Sequence, residues 1–193
     1  MDQSRTLVAV VFAGIAFIGC TGQPSPGARA TASGPATVQN DATTRECEDR
    51  VIIEHAFSAS DDTDLVGFAD NVFVGLVKER VGFTRRSPTR PFGSTRFSVE
   101  VTENVKGRIG GSVTVSQDGA YDPDRDCTML MEDDPLLKPR QEVMFFTRRD
   151  EQNGWHQIVA PGYGDVRIES KRQREDLVRR FKAAKEHQTD PAR

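Results

Sequence analysis

Residues 96–117 read RFSVEVTENVKGRIGGSVTVSQ. Every second residue from Phe97 to Val101 is apolar, and Val113 and Val115 repeat this spacing after an interval that is rich in glycine. A period of two residues is typical of a strand with one buried face. Glycine tolerates the backbone angles that a reversal of the chain needs. The stretch therefore predicts two strands that pair as a hairpin with a long connection.

Further strands are predicted on both sides of this hairpin. Residues 71–80 are apolar on both faces, which is typical of a central strand, and Gly75 within them indicates a bulge or bend. Residues 81–95 and the acidic segment 118–134 are predicted to be loops. The predicted sheet is completed by residues 142–147, 155–160 and 165–168.

Two helices are predicted outside the sheet. Residues 61–64, three of which are Asp, precede the apolar run 65–69, an order that suits the start of a short helix. Ser170 and Gln173 fit a capping box at the start of a C-terminal helix. Its apolar face would consist of Leu177, Val178, Phe181 and Ala184. Two pairs spaced for ion pairing would support it, namely Glu175 with Arg179 and Asp176 with Arg180.

Five to six short strands, a short helix and a C-terminal helix predict a mainly β fold, a small closed barrel over residues 47–187. Three segments resemble the OB-fold of the netrin-like superfamily. They are Ala69–Val77, Phe97–Lys106 with Gly107, and Leu137–Phe146. That superfamily includes the tissue inhibitors of metalloproteinases. The resemblance covers roughly residues 69–168 and implies an OB-like barrel, because its motifs are mostly barrel-forming residues.

The inhibitory mechanism of those proteins does not carry over to this chain. In that family a mature N-terminal cysteine chelates the zinc of the protease. Here the corresponding cysteine would be Cys20, which is far from the predicted domain, and Cys47 is internal.

The first residues predict export. Residues 7–18 are uncharged and apolar, and at ~1.5 Å per residue they span about 18 Å, well short of a ~30 Å hydrocarbon core. That length suits a secretory signal peptide over residues 1–19. The sequence from Phe17 to Cys20 resembles a bacterial lipobox, which implies that Cys20 is diacylated and holds the protein stably on the membrane. The alternative is an ordinary signal peptide with an incidental cysteine.

The residues after Cys20 predict a tether and a disulfide. Residues 20–46 are rich in small and polar residues and would form a flexible tether with a reach of about 25–30 Å, and residues 188–193 a disordered tail. The chain has three cysteines. If Cys20 carries lipid, Cys47 and Cys127 remain and are predicted to form one disulfide. The alternative is a pair of unbonded, buried thiols.

The sequence contains no pattern that predicts an enzyme. It has no HExxH, GxSxG or paired CxxC motif, and no nucleophile with a plausible base. The three histidines are interpreted as structural. A net charge of -3 does not suggest a nucleic-acid partner.

One acidic segment suggests a calcium site. Asp122, Asp124 and Asp126 alternate as in the first half of a calcium loop, and Asp133 stands at its twelfth position. Cys127 occupies the place of the glycine that makes the sharp turn in such loops. The alternative is a solvated acidic loop that a disulfide ties down. Apart from this possible Ca²⁺, no cofactor is predicted.

A basic segment precedes the central hairpin. Residues 78–96 hold six Lys or Arg against one Glu, net +5, and residues 118–134 hold seven Asp or Glu against one Arg, net -6. Such patches can orient a charged partner. Arg85, Arg86 and Arg90 are the candidate contacts to an anionic partner, and solvation of the loop is the alternative.

Together these features predict a lipid-anchored binding or interaction module on the outer side of the cell membrane. Its ligand would be an unidentified protein or a component of the cell envelope. The alternatives are a secreted or cell-surface hydrolase with an unrecognised site, and a calcium-binding envelope protein.

Overall fold

The predicted hairpin lies in the middle of a six-stranded sheet. The computed structural model describes residues 45–48, 50–55, 57–85, 92–131 and 134–189. The elements in order are α1 (Asp62–Phe68), β1 (Asn71–Thr84), β2 (Ser94–Lys106), β3 (Ser112–Asp118), β4 (Ala120–Asp122), β5 (Cys127–Met129), β6 (Glu142–Asp150), β7 (Trp155–Ile158), β8 (Asp165–Ile168) and α2 (Lys171–Glu186).

The sheet closes into a barrel. Strand β2 pairs antiparallel with β1 and with β3, and β3 runs parallel to β7. Strand β6 pairs with β1 along one edge and with β7 and then β8 along the other, which completes the ring. This arrangement confirms the predicted OB-like barrel with a short helix and a C-terminal helix. A parallel pair needs a connection that returns the chain to the end where it started, and β6, which runs antiparallel to β7, makes this return.

Strand β1 bends sharply enough to pair with both of its neighbours. Its register against β2 shifts between Val74 and Gly75, as predicted, and at three further places. A Cβ atom on Gly75 would lie 2.5 Å from Cγ1 of Val99, so only glycine allows the two strands to approach this closely. The bulges therefore supply the curvature that barrel closure requires.

Alternation along the strands divides the apolar residues into two cores. Phe73 and Val77 of β1 point into the barrel, whereas Val72 and Val74 point toward the helices. The barrel interior is filled by Phe73, Val77, Phe97, Val99, Val115, Leu137, Val143, Phe145 and Ile158. The second core holds the buried faces of both helices, so the helices cover one side of the barrel.

Both helices begin as predicted. Asp61 caps α1 and accepts hydrogen bonds from the backbone N–H groups of Thr63 and Asp64. Ser170 caps α2 and accepts from the N–H of Gln173 at 3.2 Å. The side chain of Gln173 accepts in turn from the N–H of Glu169, one residue before the cap. The predicted apolar face of α2 is buried.

Ion pairs to other elements fix α2 on the barrel. Arg174 contacts Glu103 of β2 at 3.0 Å and Glu142 of β6 at 3.1 Å. Lys182 also contacts Glu103, at 2.9 Å. The two pairs of Arg174 are partly shielded from solvent, whereas Lys182 is exposed, and together the pairs hold α2 to two different strands.

Both predicted pairs within α2 are wrong. Arg180 contacts Asp62 of α1 instead of Asp176, because the two nitrogens of its planar guanidinium match both oxygens of the Asp62 carboxylate. Asp176 pairs with Arg172 and Arg179. Glu175 pairs with Lys171 instead of Arg179.

The chain after α2 turns back toward α1. Thr189 donates its N–H to the carbonyl of Thr63 at 3.4 Å, and its hydroxyl bonds to the carboxylate of Asp64. Thr189, which falls within the predicted disordered tail of residues 188–193, thus contacts α1. Residues 190–193 lie outside the described part of the chain.

Two predicted loops contain strand. Strand β1 extends to Thr84 and β2 starts at Ser94, because residues 79–84 stay paired with β2 despite two shifts of register. In the acidic segment, β4 and β5 pair as a short hairpin. Three-residue strands are too short to show a periodicity, so the sequence pattern did not reveal them.

The predicted disulfide is confirmed. Cys47 and Cys127 are bonded across 80 residues of chain. Alongside the bond, Cys47 donates its N–H to Thr128 at 2.9 Å, so the first described residues run beside β5. Closing a loop of this length stabilises the fold by roughly 2–4 kcal/mol, mainly by restricting the unfolded chain.

Candidate functional site

A surface pocket of about 140 Å³ lies beside the acidic hairpin. One side is formed by the hairpin β4–β5, and the other by Arg85 after β1 and Gly93 before β2. The pocket is lined by Arg85, Gly93, Ala120, Tyr121, Asp122, Pro123, Asp124 and Met129. A concave surface that combines charged groups with apolar ones is the usual setting for a ligand.

Local hydrogen bonds shape the hairpin that forms this pocket. One carboxylate oxygen of Asp122 accepts from the N–H of Asp124 at 3.0 Å. The hydroxyl of Tyr121 donates to Asp126 at 2.7 Å, and this bond raises the pKa of Tyr121 because ionisation would destroy it. Together with the disulfide at Cys127, these bonds hold the acidic side chains in fixed directions.

The pocket brings two of the predicted segments together. Arg85, predicted to contact an anionic partner, lines the same pocket as Asp122 and Asp124. The basic and acidic segments therefore adjoin at this point. Arg86 and Arg90 lie outside the described residues.

The predicted calcium ligands are not gathered into a site within the described residues. In that part of the chain, no three His, Cys, Asp or Glu side chains are placed to hold a metal ion. Asp126 accepts from Tyr121, and Asp122 is part of the hairpin turn. Asp133 lies outside the described residues, so the calcium site stays a prediction.

Cys20, the predicted lipidation site, lies outside the described residues, as do the predicted signal peptide and nearly all of the predicted tether. Of the helices that the structure does describe, none is long and apolar enough to cross a membrane.

Two histidines lie in aromatic surroundings. His156 of β7 is buried, and its ring lies 6.3 Å from that of Phe73. Burial lowers the pKa of His156, and the charge of Arg149 adds to this effect. The ring of His55 packs edge-on against Tyr163. Nδ1 of His156 is buried without a hydrogen-bond partner among the described residues, so the interpretation of these histidines as structural stays a prediction.

A buried carboxyl pair was missed by the sequence reasoning. Asp134, which is only 3% exposed, lies within hydrogen-bonding reach of Asp165 of β8. The buried Gln117 donates to Asp134 at 2.7 Å and accepts from the N–H of Leu137 at 3.0 Å. The carboxyl pair and the side chain of Gln117 thus fix the segment 134–137, which leads into β6.

The two carboxyls are placed to share a proton. One oxygen of Asp134 and one of Asp165 are buried without any hydrogen-bond partner within the described chain, and a proton between them would satisfy both. Burial raises the pKa of Asp165 well above its ordinary value, and the neighbouring charge of Asp134 raises it further, while Arg167 lowers it. Burial also raises the pKa of Asp134.

Replacing Asp165 with Asn should remove a pH dependence of stability. The folded protein binds a proton that the unfolded chain loses above the usual Asp pKa of 3.8, so the free energy of unfolding should fall as the pH rises above that value. Asp165→Asn donates an amide N–H to Asp134 without needing this proton. It should be more stable than the wild type at pH 8, by about 1–3 kcal/mol.

The measurement is urea denaturation between pH 4 and pH 8, with the exposed Glu186→Gln as the charge-matched control. An Asp165→Asn variant with the same slope against pH as the wild type would show that the carboxyls do not share a proton.

Comparisons with known proteins do not assign the chain to a family. No family model matches the sequence, and no curated protein is significantly similar to it.

Proposed function

We propose that this protein is a lipid-anchored binding module that faces outside the cytoplasm. The observation that carries the proposal is the acidic hairpin, which the Cys47–Cys127 disulfide braces and which forms one side of the pocket with Arg85. The hairpin thus combines a disulfide, which is typical of exported proteins, with a concave surface that is suited to a ligand.

The location follows from the cysteines. Disulfides persist in oxidising surroundings, and this one fastens the start of the domain to its middle. The third cysteine, Cys20, follows an apolar segment in a sequence that resembles a lipobox. A diacylated Cys20 would retain the domain at the membrane, and residues 20–46 would let it extend from the surface.

The binding role follows from the charges of the pocket. Arg85 stands beside two carboxylates, and Pro123 and Met129 add apolar surface. Such a site suits a polar protein segment or an envelope component better than a purely apolar molecule. The netrin-like resemblance implies a scaffold on which loops carry the function, which agrees with a site at a loop and a hairpin.

Anchoring is tested at Cys20. Because the acyl chains would be attached to this sulfur, Cys20→Ser should move the protein from the membrane fraction to the soluble fraction and abolish labelling with radioactive palmitate. Cys47→Ser serves as the control, since it also removes a cysteine but leaves the lipobox intact. Unchanged partitioning of Cys20→Ser would rule out the lipid anchor.

Binding is tested on the basic segment. The triple variant Arg85→Ser, Arg86→Ser and Arg90→Ser should bind isolated cell envelopes more weakly than the wild type at low salt, with the difference vanishing at high salt. The reason is that charge attraction is screened beyond about 8–10 Å at physiological ionic strength. Sedimentation with envelopes across a salt series measures the effect.

The matched control removes three exposed cations from α2, with Lys171→Ser, Arg172→Ser and Arg179→Ser. Equal binding of both triple variants at every salt concentration would mean that the basic segment has only a solvating role.

A further inference from the structure

Four polar side chains lie side by side on the outer face of the barrel. Arg96 of β2 is opposite Ser116 of β3, and Ser116 is opposite Gln157 of β7. Trp155 lies on the same face, two residues before Gln157. Their neighbours Phe97, Val115 and Ile158 point into the barrel, so these four point away from it. We call them the outer-face cluster.

Each member of the cluster has a buried polar atom without a hydrogen-bond partner among the described residues. These atoms are Nε of Arg96, Oγ of Ser116, Nε1 of Trp155 and Oε1 of Gln157. Ser116 is completely buried, and Trp155 is 9% exposed. Folded proteins leave few such atoms unsatisfied, because each one costs free energy. Four in adjacent register positions indicate a site whose hydrogen bonds are completed by another molecule.

Arg96 is held in the cluster by weak contacts. Its guanidinium lies 5.0 Å from the ring of Trp155 and donates to the carbonyl of Phe83 at a long 3.4 Å. It forms no ion pair with any described residue. A Cβ atom at position 82 would lie 2.9 Å from Nη2 of Arg96, so glycine at this position leaves room for the Arg96 side chain. Because the Arg96 side chain is weakly held, it can rotate outward, and the other three side chains of the cluster then become accessible.

We infer that the outer-face cluster binds a saccharide that carries an acidic group. A guanidinium without a counterion matches a carboxylate or phosphate through paired N–H donors. Sugar hydroxyls both donate and accept, so they can satisfy Gln157, Ser116 and the indole N–H of Trp155 together. When Arg96 turns outward, the ring of Trp155 offers a flat apolar surface to the sugar.

The position of the cluster excludes an extended peptide that adds as a strand. Strand β3 is paired with β2 on one edge and with β7 on the other, so no backbone edge is open beside Ser116. The ligand must therefore bind through side chains. Binding at this cluster requires neither the lipid anchor nor the pocket beside the acidic hairpin. It can therefore be tested independently of the proposed function.

The single tryptophan of the chain makes the site directly observable. The full chain is titrated with trigalacturonic acid while the fluorescence of Trp155 is recorded. We expect a saturable change in emission, and Arg96→Gln should weaken binding about tenfold or more, because a charged hydrogen bond is lost. Arg179→Gln, which changes an exposed arginine of α2, should bind like the wild type.

Three outcomes would overturn the inference. The first is that maltotriose, a neutral saccharide, binds as tightly as trigalacturonic acid. This result would show that Arg96 does not recognise an acidic group. An oligothymidylate could bind more tightly, which would indicate a nucleic acid. Emission that is unchanged by millimolar trigalacturonic acid would show that no acidic saccharide binds at Trp155.

A second experiment measures what the unsatisfied hydroxyl of Ser116 costs the free protein and what it contributes to binding. Ser116→Ala removes a buried hydroxyl that has no partner, so the free protein should become more stable, with a Tm about 2–4 °C higher, while trigalacturonic acid binds several-fold more weakly. Thr114→Ala, at the next outward position of β3, is the control. A lower Tm for Ser116→Ala would mean that this hydroxyl supports the fold, and the inference would fail.

Discussion

Closure of the barrel depends on how closely β1 approaches its two neighbours at Gly75. At this position β1 is paired with β2 on one edge and with β6 on the other, and its register shifts by a bulge. A Cβ atom would collide with Val99 and would also lie 3.4 Å from the ring of Phe145. Val99 and Phe145 both belong to the interior core, so the contact at Gly75 affects how the barrel interior packs.

The closed barrel determines where the functional groups lie. Since β7 lies between β3 and β6 in the sheet, the chain from β3 to β6 must pass over one end of β7. This connection carries the disulfide-braced hairpin and then Asp134, which Asp165 and Gln117 hold against the barrel. The same topology aligns β2, β3 and β7 side by side, and the outer-face cluster lies across them.

Stability is unevenly distributed over this architecture. The ion pairs of α2 satisfy their charged groups within the chain, and a proton shared between Asp134 and Asp165 would do the same for the carboxyl pair. The outer-face cluster leaves four polar atoms unsatisfied on three adjacent strands. Proteins commonly accept such a loss of stability where another molecule binds.

Elements with a clear period could be predicted from the sequence. The alternation from Phe97 to Val101 predicted β2, and the spacing of apolar residues from Leu177 to Ala184 predicted the buried face of α2. Gly75 indicated a bulge because a glycine within an apolar strand usually has a steric reason. These features depend on residues close together in the chain.

The features that escaped prediction depend on residues that only folding brings together. Asp134 and Asp165 lie on different segments, and neither one alone indicates a shared proton. Arg85 meets Asp122 only because β1 extends beyond its apolar run. Ser116 and Gln157 are neighbours only through a parallel pairing that no local pattern predicts.

The measurement that tests this account most directly is the free energy of unfolding of Gly75→Ala, obtained by chemical denaturation. Gly110→Ala is the control, because a Cβ atom there has no described atom within 4 Å. If barrel closure depends on the contact at Gly75, this variant loses about 1–3 kcal/mol through overpacking, while Gly110→Ala is unaffected. Equal stability of Gly75→Ala and the wild type would contradict the account.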